Sequence, residues 1–397
     1  MNRNLYRLDY YKVSSIPLEN NRGYKKPIGA SPYRVMIVDD SSVIRGLMSR
    51  WLGADPAIEI VASAANGQVA LNALERTDPE IIVLDIEMPV MDGLTALPKI
   101  LSIKPDVQVV MSSTLTVQNA KVSLHAMSLG AADYVPKPTT NRDVISSQSF
   151  QVEIIQKIKS LAEAKRKQLG LPLFKAEQEP LRFTIKSKIK PQIAEIPKTV
   201  NQLPIKPKII GVGSSTGGPQ ALMEFVKGIK DKLTLPVVVT QHMPPSFTKI
   251  LASHLSRSTG LTCEEAEDGM ELVGGRVYIA PGNYHLAVTE KGGKYYIRLN
   301  QDPPENFCRP AVDPMFRSLS QVFGSAVLGV ILTGMGHDGL AGSRVIVEGG
   351  GTILAQDEAT SVVWGMPGAV SEAGLCYAVL PLSELAGKVN NIVIGGR

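Results

Sequence analysis

A strand, a tight turn and a helix are predicted by the stretch Ile209-Ile-Gly-Val-Gly-Ser-Ser-Thr-Gly-Gly-Pro-Gln220. Its apolar start breaks into small residues, and a helical pattern follows over residues 221–229. Within the turn, Gly213-Ser-Ser215-Thr-Gly217 fits G-x-S-x-G, the nucleophile elbow, which presents a serine at a strand end beside the free N–H groups of a helix. A phosphate-binding loop is disfavoured because no G-K-[ST] follows. Ser215 is therefore a candidate nucleophile, and a plain strand–helix connection remains the alternative.

The composition is that of an ordinary globular protein. The chain has 397 residues, enough for about two to three domains, and 44% of them are hydrophobic and 20% charged. The cysteines Cys263, Cys308 and Cys376 form no C-x-x-C pair, which indicates reduced thiols. No apolar run is long enough for a membrane helix, and the first residues lack the apolar core of a signal peptide. We therefore expect a cytoplasmic protein without membrane insertion.

The basic charge is concentrated in one segment. The net charge is +5, and residues 165–208 hold 11 lysines and arginines against 3 acidic residues. Prolines recur among the lysines after residue 170, a composition typical of an extended, semi-stiff linker. The excess charge therefore implies no basic face on either flanking domain, and no nucleic-acid partner is expected.

Five strand–helix units follow one another from Arg34. Apolar runs at 35–38, 58–62, 81–84, 107–111 and 133–135 alternate with helical patterns at 42–53, 67–76, 93–103, 117–129 and 142–167. The short loops between them imply a parallel sheet covered by helices on both faces, which is the (βα)5, flavodoxin-like arrangement of the α/β class.

Polar side chains cluster where these strands end, at the edge where such sheets bind ligands. Asp39 and Asp40 follow the first strand, Asp85 ends the third, and Lys137 ends the fifth. Three converging carboxylates repel one another unless a cation lies among them, and all-oxygen ligands suit Mg²⁺. Lys137 could neutralise a phosphoryl group that Asp85 accepts as a nucleophile. For any single aspartate the alternative is a helix cap.

Four segments of this half resemble the response-regulator receiver domain, over about residues 34–140. They are Val38-Asp-Asp-Ser-Ser42, Leu84-Asp-Ile-Glu-Met-Pro-Val-Met-Asp-Gly93, Met111-Ser-Ser113 and Val135-Pro-Lys-Pro138. The resemblance implies that Asp85 is the phosphoacceptor. It also implies that Asp39, Asp40 and Asp85 hold Mg²⁺ together with the backbone carbonyl of Glu87.

Three further roles follow from the same resemblance. Ser112 would provide the hydroxyl that senses the acyl phosphate, and Lys137 would contact the phosphoryl oxygens. Tyr134 matches the position of the aromatic switch residue.

The chain from Ile209 onward is predicted to form a second α/β domain. Its strand candidates are the runs 209–212, 236–240, 276–280, 326–332 and 351–355. Most are continuous apolar runs, so a doubly wound, mostly parallel sheet is expected. The predicted divisions are a disordered extension over 1–32, a receiver domain over 33–140, a helix and Pro/Lys-rich linker over 141–208, and a catalytic domain over 209–397.

A nucleophilic serine needs a base and a group that orients the base. His242 follows the run 236–240 and Asp338 follows the run 326–332, so both are expected at the sheet edge that carries Ser215. The residues alone leave three rivals open, namely His285, His337 and Asp357.

Six segments are similar to the catalytic domain of the chemotaxis protein-glutamate methylesterase (CheB) family, over about residues 209–385. They are Gly211-Val-Gly-Ser-Ser-Thr-Gly-Gly-Pro219, Thr240-Gln-His-Met-Pro-Pro-Ser-Phe247, Glu265-Ala-Glu-Asp-Gly269, Tyr278-Ile-Ala-Pro-Gly282, Arg309-Pro-Ala-Val-Asp313 and Gly329-Val-Ile-Leu-Thr-Gly-Met-Gly-His-Asp-Gly339. The family implies Ser215 as nucleophile, His242 as base and Asp338 as orienting carboxylate. It also implies an oxyanion site near Thr216 and the backbone of Met335.

Two positions depart from the pattern of that family. His337 stands where asparagine is common, which could alter the setting of Asp338. Ser214 stands where alanine is common, so that two serines are adjacent and Ser215 matches the central position of the motif.

The two resemblances together imply a phosphorylation-activated esterase. It would hydrolyse glutamate γ-methyl esters on methyl-accepting chemoreceptors to glutamate and methanol during chemotaxis adaptation, and would also deamidate receptor glutamines. The phosphodonor would be a chemotaxis histidine kinase, and the esterase chemistry itself would need no cofactor. An inactive receiver would cover Ser215, and phosphorylation of Asp85 would shift the protein towards an open arrangement.

Other classes of protein fit the sequence less well. A DNA-binding output domain would show a helix-turn-helix with a basic recognition helix, whereas this half shows parallel-sheet patterning. A dinucleotide-binding enzyme would need a third glycine and an acidic residue that Gly211-x-Gly213 lacks. A non-catalytic response-regulator adaptor remains the alternative.

Overall fold

The computed structural model describes residues 31–114, 116–137, 148–174 and 205–395. Most of the predicted extension over 1–32, the residues 141–147 and most of the predicted linker lie outside the described residues.

The first half forms the predicted five-stranded parallel sheet, and its strands have the order β2-β1-β3-β4-β5. The strands are Tyr33–Val38, Ile58–Ala64, Ile81–Asp85, Gln108–Thr114 and Asp133–Lys137 (β1 to β5). The helices are Ser42–Gly53, Gly67–Thr77, Gly93–Ile103, Val117–Ser128 and Gln148–Gln168 (α1 to α5). Helices α1 and α5 cover one face of the sheet, and α2, α3 and α4 cover the other.

Helix α5 is bound to the sheet by an apolar stripe and by ion pairs, one of which lies near its C-terminus. Its buried side chains Phe150, Ile154, Ile158 and Leu161 recur at the spacing of one helix face. Near its C-terminus, Arg166 donates to both carboxylate oxygens of Glu80, over 2.5 and 2.7 Å.

The second half forms a seven-stranded sheet with the order β14-β13-β12-β6-β7-β9-β8, in which every pair is parallel. The strands are Ile209–Ser214 (β6), Val237–Gln241 (β7), Thr262–Glu265 (β8), Arg276–Ile279 (β9), Val327–Ile331 (β12), Thr352–Gln356 (β13) and Ala378–Leu380 (β14). An antiparallel hairpin of His285–Lys291 (β10) and Lys294–Asn300 (β11) lies outside it. The short edge strands and the hairpin were absent from the sequence prediction, because they lack a buried apolar run.

Helices cover both faces of this sheet, which confirms the predicted α/β fold. Gly218–Ile229 (α6), Phe247–Thr259 (α7) and Leu382–Ile394 (α11) pack on one face. Val312–Phe323 (α8), Leu340–Glu348 (α9) and Met366–Glu372 (α10) pack on the other. Among the described residues, no helix is both long and apolar enough to cross a membrane.

The glycines of β6 allow α8 to lie close to the centre of the sheet. A Cβ atom at Gly211 would lie 2.6 Å from Leu319 Cδ1, and one at Gly213 would lie 2.7 Å from Val312 Cγ1. The glycines ahead of Ser215 are therefore required by helix–strand packing as well as by the turn.

Strand β6 lies between β12 and β7, so the chain leaves it towards one side of the sheet and returns on the other. Such a switch point opens a crevice at the carboxyl ends of the strands, where ligands bind in open α/β sheets. The loops that follow β6, β7 and β12 carry Ser215, His242 and Asp338 to this edge.

We expect Gly218→Ala to destabilise the protein by about 1–3 kcal/mol, because the new Cβ would overlap Gln241 Oε1. The Gln241 amide cannot move aside easily, since it is hydrogen-bonded to Ser214 and Ser215. The matched control is Gly387→Ala, where a Cβ meets nothing within 4 Å and should stabilise α11 by about 0.5–1 kcal/mol. Urea unfolding of the full chain measures both, and equal stabilities would contradict the close packing at Gly218.

Candidate active site and receiver site

Ser215 lies in the turn between β6 and α6 and is fixed through its backbone. Its N–H donates to the carbonyl of Thr333 over 3.1 Å. Its own carbonyl accepts from Gly218 N–H and from Gln241 Nε2, both at 2.8 Å. The residue is half-buried, and its hydroxyl forms no hydrogen bond within the described part of the chain. A serine held this way is rigid in its backbone and free at its oxygen.

The neighbouring serine has the opposite environment. Ser214 is fully buried, and its hydroxyl donates to Gln241 Oε1 over 2.7 Å. The two adjacent serines therefore have different roles. The Ser214 hydroxyl fixes the Gln241 side chain, whereas the Ser215 hydroxyl has no partner among the described residues.

The Asp338 side chain meets His242 at the same edge. The distance between His242 Nε2 and Asp338 Oδ2 is 2.7 Å. The carboxylate also accepts from the backbone N–H groups of Val312, Asp313 and Gly339, over 2.6, 3.1 and 2.9 Å, and from an asparagine side chain. Burial opposes the charged form, but the hydrogen bond from His242 and those from the backbone keep the pKa of Asp338 below its usual value. Asp338 is thus a charged carboxylate that orients an imidazole.

The second ring nitrogen of His242 faces a thiol. Cys308 Sγ lies 3.3 Å from Nδ1. Burial lowers the pKa of His242, but the charge of Cys308 and the hydrogen bonds to Asp338 and Cys308 outweigh it and raise that pKa to about 10. This contact is not predictable from the sequence, which indicates only a reduced thiol at Cys308, because no spacing rule relates it to a histidine 66 residues earlier.

The structure places the three alternative candidates for the base and its orienting carboxylate, His285, His337 and Asp357, in other environments. His285 is buried with both ring nitrogens engaged, by Pro303 O at 3.2 Å and by Ala311 N at 3.2 Å. His337 is exposed, and Asp357 accepts from the backbone and hydroxyl of Thr360.

The two residues predicted for the oxyanion site lie on loops beside Ser215. Thr216 follows it directly, and its hydroxyl donates to Asp133 Oδ2 of β5 over 2.8 Å. Met335 follows β12 and packs against the hydrophobic cluster formed by the first sheet and α5. Neither backbone N–H donates a hydrogen bond to a described residue.

The acidic side chains predicted at the other sheet edge do converge. Ligand oxygens of Asp39, Asp40 and Asp85 lie within 4.8 Å of one another, and Lys137 Nζ lies 2.6 Å from Asp39 Oδ2 and 2.8 Å from Asp85 Oδ2. Burial raises the pKa of Asp85 to about 6, although Lys137 opposes the shift. Such an all-oxygen cluster is typical of a Mg²⁺ site.

The remaining predicted residues of this edge differ in their environment. Ser112 is buried beside the cluster, within β4 and opposite Asp85, and its hydroxyl has no hydrogen-bond partner in the described structure. Glu87 has an exposed side chain, consistent with a role that needs only its backbone carbonyl.

Tyr134 lies at the contact between the two halves of the chain. Its buried ring stacks on Phe247 of α7, with centroids 4.5 Å apart and planes inclined by 11°. Lys157 of α5 donates to Tyr134 O over 2.7 Å and lies 3.1 Å from the carboxylate of Asp133. Gln220 of α6 donates to the carbonyl of Ala131 over 2.8 Å. The first half therefore contacts α6, which follows Ser215 directly, and α7.

Known protein families match both halves. The family model described as CheB methylesterase matches residues 210–389, and the response regulator receiver domain matches residues 35–148. A protein-glutamate methylesterase/protein-glutamine glutaminase of Rhodospirillum centenum is 50% identical over 92% of this chain and 95% of its own length. One from Azospirillum brasilense is 51% identical over 90% of this chain and 92% of its own. The methylesterase catalytic domain of Thermotoga maritima CheB is 42% identical, covers 48% of this chain and all of its own, and has a TM-score of 0.46.

The two adjacent serines give a stability prediction. Ser214→Ala leaves the buried Gln241 Oε1 without its donor and should cost about 1–3 kcal/mol of unfolding free energy. Ser215→Ala removes a hydroxyl that bonds to none of the described residues and should change that free energy by less than about 0.5 kcal/mol. Urea unfolding of both variants tests the assignment, and a larger loss in Ser215→Ala would contradict it.

Proposed function

Because this chain belongs to the protein-glutamate methylesterase/protein-glutamine glutaminase family, we propose that Ser215, His242 and Asp338 carry out that hydrolysis on chemoreceptors. The observation that carries the proposal is the 2.7 Å contact of His242 with a charged, buried Asp338 at the sheet edge where Ser215 keeps a free hydroxyl. An orienting carboxylate, a base and an unused serine are the parts of a serine hydrolase.

The reaction begins with attack of Ser215 Oγ on the γ-carbonyl of a methylated glutamate. His242 takes the serine proton at Nδ1, since Nε2 is held by Asp338. The tetrahedral intermediate collapses when His242 returns the proton to the methoxy oxygen, and methanol leaves. Water then attacks the acyl-enzyme with His242 again as base and releases glutamate. For glutamine the leaving group is ammonia, and the same acyl-enzyme forms.

The oxyanion is stabilised by the N–H groups of Thr216 and Met335. Both lie on the loops beside Ser215, and both are without a described hydrogen-bond partner. Preorganised donors of this kind are usually the largest single contribution to acyl transfer.

The receiver half accepts a phosphoryl group on Asp85 from a chemotaxis histidine kinase. Asp39, Asp40 and Asp85 fit Mg²⁺ by their all-oxygen donor set, with the carbonyl of Glu87 as a further ligand. When bound, the ion neutralises charge on the transferred phosphoryl group. Lys137, which lies 2.8 Å from Asp85 Oδ2, would contact that group, and the Ser112 hydroxyl, without a partner among the described residues, would be available to it.

Control of the esterase rests on the contact between the two halves. Tyr134 stacked on Phe247, and Asp133 bonded to Thr216, hold the receiver against the loop of Ser215. Phosphorylation draws Ser112 towards Asp85 and shifts Tyr134, which weakens this contact and opens the active site. A cytoplasmic location, where kinase and receptor tips are available, remains a prediction.

The nucleophile is tested by methanol release from methylated receptor membranes, with and without acetyl phosphate. We expect Ser215→Ala to lower the rate at least about 10³-fold, because a triad without its nucleophile retains little activity. The exposed Ser253→Ala is the matched control and should keep the rate of the unmodified protein. Release that persists in Ser215→Ala contradicts the proposed mechanism, and no release from any form favours the adaptor alternative.

The control is tested in an Asp85→Asn background, which cannot be phosphorylated at that site. Tyr134→Ala removes the stacking on Phe247 and should raise basal methanol release by at least about threefold without acetyl phosphate. Val43→Ala, on the exposed face of α1, should leave the basal rate unchanged. A basal rate in Tyr134→Ala equal to that of its parent would refute the role of this contact.

A further inference from the structure

We propose that Cys308 is a positioning residue that sets the resting proton state of His242 by occupying the ring nitrogen that Ser215 must use. The inference rests on the proposed function, in which His242 is the base. It adds a residue to that reaction and a step to its activation.

The geometry leaves Ser215 and Cys308 to compete for one atom. Nε2 of His242 is taken by Asp338 at 2.7 Å, so Nδ1 is the only nitrogen that can accept the serine proton. Cys308 Sγ lies 3.3 Å from that nitrogen, whereas the Ser215 hydroxyl has no hydrogen-bond partner among the described residues. In the structure the thiol, and not the serine, is the partner of the base.

Cys308 is fixed there by a tight turn. Glu305 and Cys308 exchange backbone hydrogen bonds of 3.2 and 2.9 Å around two residues with positive φ, Asn306 at 51° and Phe307 at 63°. The side chain of Asn306 donates to Asp338 Oδ1 over 3.0 Å. The turn that presents the thiol is thus attached to the carboxylate that orients His242.

This contact blocks the base. With its pKa raised, His242 rests as an imidazolium whose two nitrogens both carry hydrogen, one facing Asp338 and the other facing Cys308. An imidazolium cannot accept the proton of Ser215, so activation requires His242 to lose a proton and to exchange Cys308 for Ser215.

The charged groups that face His242 are few. Within the described part of the chain, Asp338 and Cys308 are the two that hydrogen-bond to its ring. The next charged groups are bound to the turn of residues 305–308. Asp313 accepts from the Asn306 side chain, and Arg317 forms an ion pair with Glu305. Removal of the Cys308 side chain takes away one of the two partners that raise the pKa of His242, so that pKa falls.

The decisive experiment is NMR titration of the ring nitrogens of His242 in the full-length protein, assigned among its five histidines with His242→Gln. We expect Cys308→Ala to lower the titration midpoint by about one pH unit or more. Cys308→Ser, which keeps a small polar group but cannot form a thiolate, should lower it as well. Cys376→Ala removes a thiol without a contact to His242 and should leave it unchanged.

The matching kinetic readout is the pH profile of kcat/KM for methanol release with acetyl phosphate present. A base must be neutral to act, so a lower pKa of His242 moves the rising limb of the profile to lower pH in Cys308→Ala and Cys308→Ser. The KM for receptor should not change, because Cys308 acts through His242.

Two results would overturn the proposal. One is a titration midpoint and pH profile that are the same in Cys308→Ala as in the unmodified protein. The other is a Cys308→Ser variant that keeps the unmodified midpoint, since charge would then not be the cause. Failure of the proposed function is recognised separately, as methanol release that survives Ser215→Ala.

Discussion

The buried carboxylate of Asp338 is the point on which the strand-end loops of the second domain converge. A carboxylate removed from water is costly unless its oxygens are hydrogen-bonded. Here three backbone N–H groups, the imidazole of His242 and the amide of Asn306 supply those bonds. Each bond also fixes an element, namely the start of α8, the loop after β7 and the turn before Arg309. Loss of this one charge would therefore loosen the base, the turn and the helix together.

Both sheets bring charged side chains together at the carboxyl ends of their strands, but the charges are compensated differently. At the receiver edge three carboxylates converge, burial and the charge of Asp39 raise the pKa of Asp85, and Lys137 opposes that shift. At the esterase edge a single carboxylate is compensated by donors, which leaves its charge to act on an imidazole. Parallel strands deliver side chains to one edge, and the balance of charge there decides the reaction.

Much of the site was predictable because it depends on strand ends. Asp39, Asp85 and Lys137 converge as expected, since continuous apolar runs define where β1, β3 and β5 stop. The contact of His242 with Asp338 follows the same logic. The contacts of Cys308 and Asn306 do not, because they come from a loop whose path depends on two left-handed residues. The bond from Thr216 to Asp133 joins two domains, and no periodicity in either half encodes it.

The position of Asp133 and Tyr134 limits how these domains can be recombined. They are neighbours on the edge strand β5, and adjacent side chains of a strand point to opposite faces. Asp133 accepts a hydrogen bond from Thr216, and the Tyr134 ring stacks on Phe247. The second domain therefore contacts two successive side chains of this strand. A receiver taken from another regulator would have to match both partners to be silent when unphosphorylated. A substitution at Thr216 or Phe247 would therefore remove a contact that the receiver half supplies.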